Sequence, residues 1–178
     1  MIACPDNSYS VSWKPYFLRP NHPREGVEKA PNTPDNPRVG ARMKQAGEAV
    51  GINFTGACDR APNSLYAHCL LSYAGKQFGP KVQDAMQERL FKAYFTDGIY
   101  PNIDNLVQLA KEVGEPFSEG EVRRVLESGE LEAEVTREAQ ELSQRQRGQG
   151  VPFFYFNDKP AFAGAQDPST FIQVFEQI

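Results

Sequence analysis

The stretch RGQGVPFFYFNDKPAFAGAQ, residues 147–166, decides the predicted fold. A glycine-rich entry leads to Val151-Pro152, an aromatic run, a polar Asn-Asp pair and a second apolar segment. This pattern predicts two strands, 151–157 and 160–163, joined by a tight turn. Proline cannot donate to a strand ladder, so Pro152 is expected at the first residue of its strand. Proline also tolerates a cis peptide bond, which here would hold backbone groups open for a ligand.

The residues after this hairpin predict a closing helix. Asp167 can cap it, and the proline that follows suits the first helical position, where no backbone N–H is needed. The residues expected on the inner face of this helix are Phe171, Ile172, Phe175 and Ile178.

Upstream of the hairpin, the sequence shows a long helical block that begins near residue 38. The first predicted helix spans 38–51, and its apolar residues at helical spacing are Val39, Met43, Ala46 and Val50. The last helix of the block is predicted to have one apolar stripe, formed by Leu131, Val135, Ala139 and Leu142.

Polar residues mark where the helices of this block begin and end. Asn63 is expected to cap one helix, and Asp104 is expected to cap another that stops at Gly114. Ser118 and Glu121 have the spacing of a capping box.

The segments before the helices have an extended pattern. Residues 9–18 are rich in aromatic and β-branched residues with Pro15 in the middle, which predicts an irregular or edge strand. Residues 19–37 are proline-rich and predict a long surface connection. The order strand, helical block, strand, strand, helix predicts an α/β fold whose core is interrupted by a helical insertion.

Composition excludes several classes of function. The chain has 178 residues, of which 40% are hydrophobic and 24% charged, with a net charge of −4. Because the basic residues are scattered, we expect neither nucleic acid nor a membrane as a partner. The N-terminus lacks the pattern of a secretory signal, and three cysteines do not suggest a disulfide framework. We therefore expect a cytoplasmic protein.

Four stretches then point to a family: WKPYFL (13–18), PNSLYAHCLL (62–71), LFKAYFTDG (90–98) and GVPFFYFNDKPAFAGAQDPSTF (150–171). In this order they resemble DsbA-like thioredoxin-fold proteins, and in particular the FrnE-type branch of disulfide oxidoreductases. That branch is related to 2-hydroxychromene-2-carboxylate isomerase and kappa-class glutathione transferases. The resemblance runs from about Trp13 to the C-terminus.

The resemblance implies a thioredoxin-like sheet with an inserted all-helical domain. The thioredoxin-like part would comprise residues 1–37, a strand and the proline-rich connection, together with residues 116–178. The insertion would comprise residues 38–115.

The resemblance also implies where a substrate binds. Pro152 would be a cis-proline facing the site, and Val151 would offer its backbone N–H and C=O to an extended thiol or peptide by β-strand addition. His68 and Asn63 would lie near the substrate groove. The competing interpretations are structural: His68 as a histidine bonded within the helical domain, and Asn63 as a helix cap alone. No metal or cofactor is expected, although glutathione would be a suitable thiol partner.

The catalytic part of the family does not match this sequence. There, a first strand leads to a Cys-x-x-Cys motif at the start of a helix, which lowers the pKa of the attacking thiol. No Cys-x-x-Cys occurs here; Cys4-Pro5 matches only its first half, and Asn7 stands at the second cysteine position. Cys69 is expected to pack as a small apolar residue on its helix, and Cys58 is expected to be a free thiol in a loop. We therefore expect no catalytic residue in this chain.

The family strand that would carry this motif lies between the strands equivalent to residues 10–18 and 152–157. Without it, each of these segments leaves backbone groups unpaired. Four arrangements would resolve this. The two segments could pair directly, or residues 1–9 could fill the gap between them. Alternatively, another chain could fill the gap, as in a homodimer through the exposed edges, or the chain could be an incomplete form of a longer protein. We expect the last of these.

These observations favour a DsbA-like family member whose parent reaction is dithiol–disulfide exchange and which is inactive or incomplete in this form. One alternative is a non-catalytic module that binds a peptide or thiol along the Val151-Pro152 groove. Another is a relative of the glutathione transferases and isomerases, which use a single serine or cysteine near the first helix.

Overall fold

A computed structural model of the protein describes residues 9–146 and 148–177, and its regular elements are mostly helices. In chain order they are β1 Val27–Glu28, α1 Ala41–Glu48, β2 Arg60–Ala61, α2 Leu65–Phe78, α3 Pro80–Phe91, a π-helical segment Lys92–Asp97, α4 Ile103–Val113, α5 Glu119–Ser128, α6 Glu132–Gln146, β3 Phe153–Phe156, β4 Lys159–Ala163 and α7 Pro168–Phe175. The fold is therefore α/β, with helices dominating.

Helices α2 to α6 enclose the core, and we call residues 65–146 the helical unit. Each helix contributes at least one side chain that is almost completely buried: Leu70, Met86, Leu106, Val122 and Val135. Apolar residues at helical spacing put these side chains on one face of each helix, and that face packs inward. The predicted inner positions Val135 and Ala139 of α6 are confirmed as buried.

Two of the predicted helix caps are wrong. Asn102, not Asp104, is the N-cap of α4, and its side chain accepts a hydrogen bond from the backbone N–H of Asn105 at 2.8 Å. The capping box of α5 does not form, because Ser118 makes no side-chain cap bond and the Glu121 carboxylate is paired with Arg124 at 2.8 Å.

The first predicted helix is confirmed, but over the shorter span Ala41–Glu48. Its apolar residues do not reach the core: Met43 is 55% exposed and Val50 71% exposed. The helix is attached through Gly47, where an added Cβ would lie 2.6 Å from the ring of Phe54. Because α1 contacts the rest of the protein through its Gly47 backbone, its other residues remain exposed to solvent.

The prediction of a strand at residues 9–18 is wrong. Residues 9–18 are irregular, and no strand within residues 9–146 and 148–177 pairs with them. Residues 19–37 are largely irregular, as expected for a proline-rich connection, but include β1. β1 pairs antiparallel with β2, with Val27 opposite Ala61.

The hairpin and the closing helix are present as predicted; Ile178, the last residue of the predicted inner face, lies outside the described residues. β3 and β4 pair antiparallel, with Phe154 opposite Phe162. Asn157 and Asp158 join them with φ values of 48° and 64°, the combination that a type I′ turn requires. Asp167 caps α7 by accepting the Ser169 N–H at 2.9 Å, with a proline at the first helical position. We call residues 151–177 the hairpin unit.

The described residues contain two separate two-stranded sheets, β1–β2 and β3–β4. Direct pairing between residues 10–18 and β3, one of the four alternatives considered, is therefore wrong. The alternative in which residues 1–9 fill the gap concerns residues 1–8, which lie outside the described residues. The division of the chain at residues 38 and 115 remains a prediction. The shared core of the helical unit extends through α5 and α6 to residue 146.

Candidate functional site

The predicted binding residues Val151 and Pro152 stand at the mouth of the hairpin. The peptide bond between them is cis, and the Pro152 carbonyl accepts a hydrogen bond from the Gly164 N–H at 2.7 Å. This bond extends the β3–β4 ladder by one residue pair. Val151 is more than a third exposed, so the segment that leads into β3 is open to solvent.

The backbone directions along β3 follow from that bond. Carbonyl and N–H groups of successive strand residues point to opposite sides, so Phe154 and Phe156 face β4, as Pro152 does. Phe153 and Tyr155 point their N–H and C=O groups to the other edge. The extra residue of the bulge is Ala161 on β4, so the alternation along β3 is uninterrupted.

The outer edge of β3 is unoccupied by the rest of the described chain. Its outward backbone groups, on Phe153 and Tyr155, form no hydrogen bond with any described residue. An edge that presents alternating donors and acceptors is a template for an additional strand. The geometry that strand addition requires is therefore present at the predicted site.

His68 lies on α2, in a cleft of about 300 Å³ on the surface of the helical unit. Its Nε2 is 3.1 Å from the Tyr16 carbonyl, and its ring meets Phe17 edge-on with centroids 5.4 Å apart. Burial lowers the pKa of His68, and the bond to the Tyr16 carbonyl opposes only part of that effect. The imidazole is therefore neutral at pH 7 and holds the irregular segment against α2.

Sequence reasoning missed the strongest clamp in this cleft, which is Gln83. Its carboxamide accepts the Trp13 N–H at 2.9 Å and donates to the Trp13 carbonyl at 3.0 Å and to the Leu71 carbonyl at 3.2 Å. One side chain thus supplies the backbone partners that a strand would have given Trp13. Gly75 of α2 faces this carboxamide, and an added Cβ there would lie 2.9 Å from Gln83 Nε2, but a lone glycine inside a helix does not by itself identify its neighbour.

Trp13 is fixed by further contacts. Its indole N–H donates to the Asp84 carboxylate at 2.7 Å, and its ring meets Phe91 edge-on at 5.7 Å. The next residue, Lys14, pairs with Glu138 of α6 at 2.8 Å. Residues 12–15 of the chain therefore form one wall of the cleft around His68.

Asn63 has a structural position. Its Nδ2 donates to the His22 carbonyl at 2.7 Å and its Oδ1 accepts the Leu65 N–H at 3.1 Å. The side chain thus caps the start of α2 and ties it to the proline-rich connection. Neither Asn63 nor the pair Val151-Pro152 is among the residues that line the cleft around His68. The assignment of these four residues to one substrate groove stays a prediction.

A family model decides the relationship of this chain. The model for DSBA-like thioredoxin domains matches residues 3–176. The chain belongs to this family. No curated protein gives a significant match.

The two described thiols of this DSBA-like chain are unsuited to disulfide exchange. Cys58 and Cys69 are free and only 3% and 2% exposed. Burial, with the negative charge of Glu132, raises the pKa of Cys69 to about 12. The attacking species in exchange is an accessible thiolate, which a buried thiol does not supply. Cys4 lies outside the described residues.

Two further properties concern only residues 9–146 and 148–177. Within them, no three His, Cys, Asp or Glu side chains converge as metal ligands would. In the same ranges, no helix is both long and apolar enough to cross a membrane.

Proposed function

We propose that this DSBA-like protein binds an extended polypeptide or a small thiol by strand addition at the outer edge of β3 and does not turn over dithiol–disulfide exchange. The open edge that follows Val151-Pro152 supports the binding function. The absence of Cys-x-x-Cys from the sequence, together with the burial of Cys58 and Cys69, supports the lack of turnover.

Strand addition fits this edge for two reasons. The outward N–H and C=O groups of Phe153 and Tyr155 can form main-chain hydrogen bonds with any extended sequence, so binding would be broad. The half-buried rings of the same residues, 5.0 Å apart, would contact side chains of the added strand. Aromatic cross-strand contacts of this kind stabilise sheet pairing by roughly 0.2–1 kcal/mol each.

Two further proposals concern the branch of the family to which the chain belongs and its location in the cell. We assign the chain to the FrnE-type branch on the four sequence stretches from residue 13 to residue 171. We also propose a cytosolic location, where free thiols such as Cys58 and Cys69 stay reduced.

Binding is tested by titrating a fluorescent unfolded peptide, and separately glutathione, with the purified protein. Tyr155→Pro removes an outward N–H without touching a bond to β4, whereas the control Tyr155→Val removes the same ring and keeps the N–H. We expect Tyr155→Pro to bind roughly three- to tenfold more weakly than Tyr155→Val, the loss that corresponds to one net hydrogen bond. Equal affinities for the two variants would contradict strand addition.

Turnover is tested by reduction of insulin disulfides. We expect no rate above the uncatalysed reaction. A measurable rate that Cys4→Ser abolishes would show that the chain is an active oxidoreductase.

A further inference from the structure

The outer edge of β3 matches one strand whose sequence is known, namely β3 of a second copy of the chain. We propose that two copies pair antiparallel through this edge and form a closed dimer with a four-stranded sheet, β4–β3–β3–β4. The inference rests on the same open edge as the proposed function. It adds that the edge is covered by a second copy when no peptide is bound.

The register of this pairing follows from the backbone directions. Only Phe153 and Tyr155 face outward, so a two-fold axis at Phe154 places Phe153 of each copy opposite Tyr155 of the other. Both opposed pairs then exchange an N–H···O bond in each direction, as hydrogen-bonded pairs of an antiparallel ladder do. Phe154 lies opposite its own counterpart on the axis. Such an interface is isologous, because each copy contributes the same surface.

The side chains are also self-complementary. Phe153 and Tyr155 lie on one face of β3, and the two-fold axis brings their rings beside those of the second copy. From Val151 to Phe156 there is no charged residue, so no like charges meet. Aromatic pairs directly opposite each other stabilise antiparallel strands. The outer edge of β3 is therefore compatible with β3 of a second copy in both its backbone hydrogen bonds and its side chains.

Helix α7 leaves room for the second copy. Its Phe171 ring packs edge-on against Phe154 at 4.9 Å and against Phe162 at 5.0 Å, so α7 lies over both strands of its own hairpin. Four strands span a width of about 19 Å, and two helices about 10 Å in diameter fit side by side across it.

The opposite edge of the hairpin explains why association would stop at two copies. Lys159 pairs with Phe156 beside the turn, so the next residue of β4, Pro160, faces outward. Proline offers no N–H there, and the exposed Lys159 adds a charge beside it. Proline and lysine are residues that protect sheet edges from pairing. The β4 edge is thus blocked and the β3 edge is not.

The hairpin unit has apolar surface left for an interface. None of its described residues is fully buried, and the rings of Phe153 and Tyr155 are partly exposed.

The test is sedimentation velocity across a range of protein concentrations. Wild-type protein is expected to sediment as a dimer that dissociates on dilution. Phe153→Lys combined with Tyr155→Lys places introduced lysines opposite each other and is expected to be monomeric. Phe153→Glu combined with Tyr155→Lys removes the same two rings but places an introduced glutamate opposite an introduced lysine, so dimerisation is expected to return.

A cross-link tests the register independently. Antiparallel non-hydrogen-bonded pairs have Cα atoms about 4.5 Å apart, within the range of a disulfide. In a Cys4→Ser background, Phe154→Cys is therefore expected to form an intermolecular disulfide on oxidation. The control Phe162→Cys lies on β4, about 14 Å from its counterpart across the dimer, and is expected not to.

Each outcome decides the proposal. A wild-type protein that is monomeric at every concentration overturns it, as does association into larger aggregates or equal cross-linking at the two positions. Peptide binding measured at monomeric dilution separates this proposal from the proposed function. A monomer that binds peptide refutes only the dimer, and a dimer that never binds peptide refutes only peptide binding.

Discussion

The helical unit and the hairpin unit use apolar residues in similar density but bury them to different degrees. In the helical unit, Leu70, Leu106 and Val135 are completely enclosed by five helices. In the hairpin unit, the rings of Phe154, Phe162 and Phe171 pack on one another yet stay partly exposed. The first unit has enough layers to cover its apolar faces, and the second has one hairpin and one helix.

The comparison indicates where this chain is stable and where it is available for binding. Regions with few buried contacts open at lower free energy than the core of the same protein. A half-covered sheet with an unpaired edge is also the place at which another strand gains most by adding. We therefore expect the helical unit to supply most of the stability and the hairpin unit to supply the binding surface. Four predictions test this difference between the two units.

The largest expected effect is a cavity in the helical unit. Leu106→Ala should lower the free energy of unfolding by about 3 kcal/mol, because Leu106 is completely buried and the cavity cannot collapse fully. Phe171→Ala in the hairpin unit should cost only about 1–2 kcal/mol, since part of its ring area is already in solvent. Urea unfolding of both variants measures the two losses. Equal losses would mean that the hairpin unit is as well packed as the core.

The next effect concerns the clamp that joins the irregular segment to the helical unit. Gln83→Leu should cost about 2 kcal/mol, because it leaves the Trp13 backbone and the Leu71 carbonyl without partners. Gln87 is a matched control one turn later on α3, equally buried, and its side chain forms no hydrogen bond with other described residues. Gln87→Leu should change the unfolding free energy by less than about 0.5 kcal/mol. A similar loss in both variants would refute the clamp.

A smaller change in unfolding free energy is expected when Gly75 is replaced by alanine. The same replacement at a second helical glycine, Gly120, should change the unfolding free energy in the opposite direction. An added Cβ at Gly75 would lie 2.9 Å from Gln83 Nε2, and the three hydrogen bonds of the Gln83 carboxamide, two from Nε2 and one to Oε1, prevent it from moving aside. Gly75→Ala should therefore cost about 1 kcal/mol. Gly120 in α5 has open space around it, so Gly120→Ala should stabilise the protein by about 0.5–1 kcal/mol. Thermal unfolding of the pair measures the contrast, and stabilisation by both would contradict the close approach.

The smallest effect is a pH dependence from His68. Burial lowers the pKa of His68 in the folded state, so the unfolded chain binds this proton more readily. Folding stability should therefore fall as pH is lowered through the unfolded pKa of about 6.5 and level off below the folded value. His68→Gln should flatten the curve between about pH 7 and pH 5. Urea midpoints that fall equally in both proteins would exclude His68 as the source.

Local rules predicted the parts of the fold that depend on nearby residues. The turn at Asn157-Asp158 and the Asp167 cap of α7 are confirmed, because each needs only residues within a few positions; the structure adds that the turn is type I′. The prediction that Asp104 caps α4 was wrong, because the nearby polar residue Asn102 is the cap. Asn102 precedes the first helical residue and so reaches the free N–H groups of α4.

The sequence pointed to Val151 and Pro152 as binding residues, and this assignment stays a prediction. Directly after them, one edge of β3 is unpaired within the described part of the chain. The sequence gave no indication of Gln83, because a glutamine beside an apolar stripe has the same pattern whether it faces water or a buried backbone. His68 and Asn63 were identified, but their hydrogen-bond partners Tyr16 and His22 lie about 40 to 50 positions away.

The sequence by itself determined the helical block, the hairpin with its turn and closing helix, and the lack of a Cys-x-x-Cys motif, since periodicity, turn chemistry and residue identity are local properties. The tertiary structure decided which apolar faces are covered. Among the residues that the structure describes, it left the stripe of α1 exposed and one edge of β3 unpaired, and it docked residues 12–17 on helices through side-chain clamps. Burial and strand pairing depend on which distant segment is available as a partner, and no local pattern encodes that.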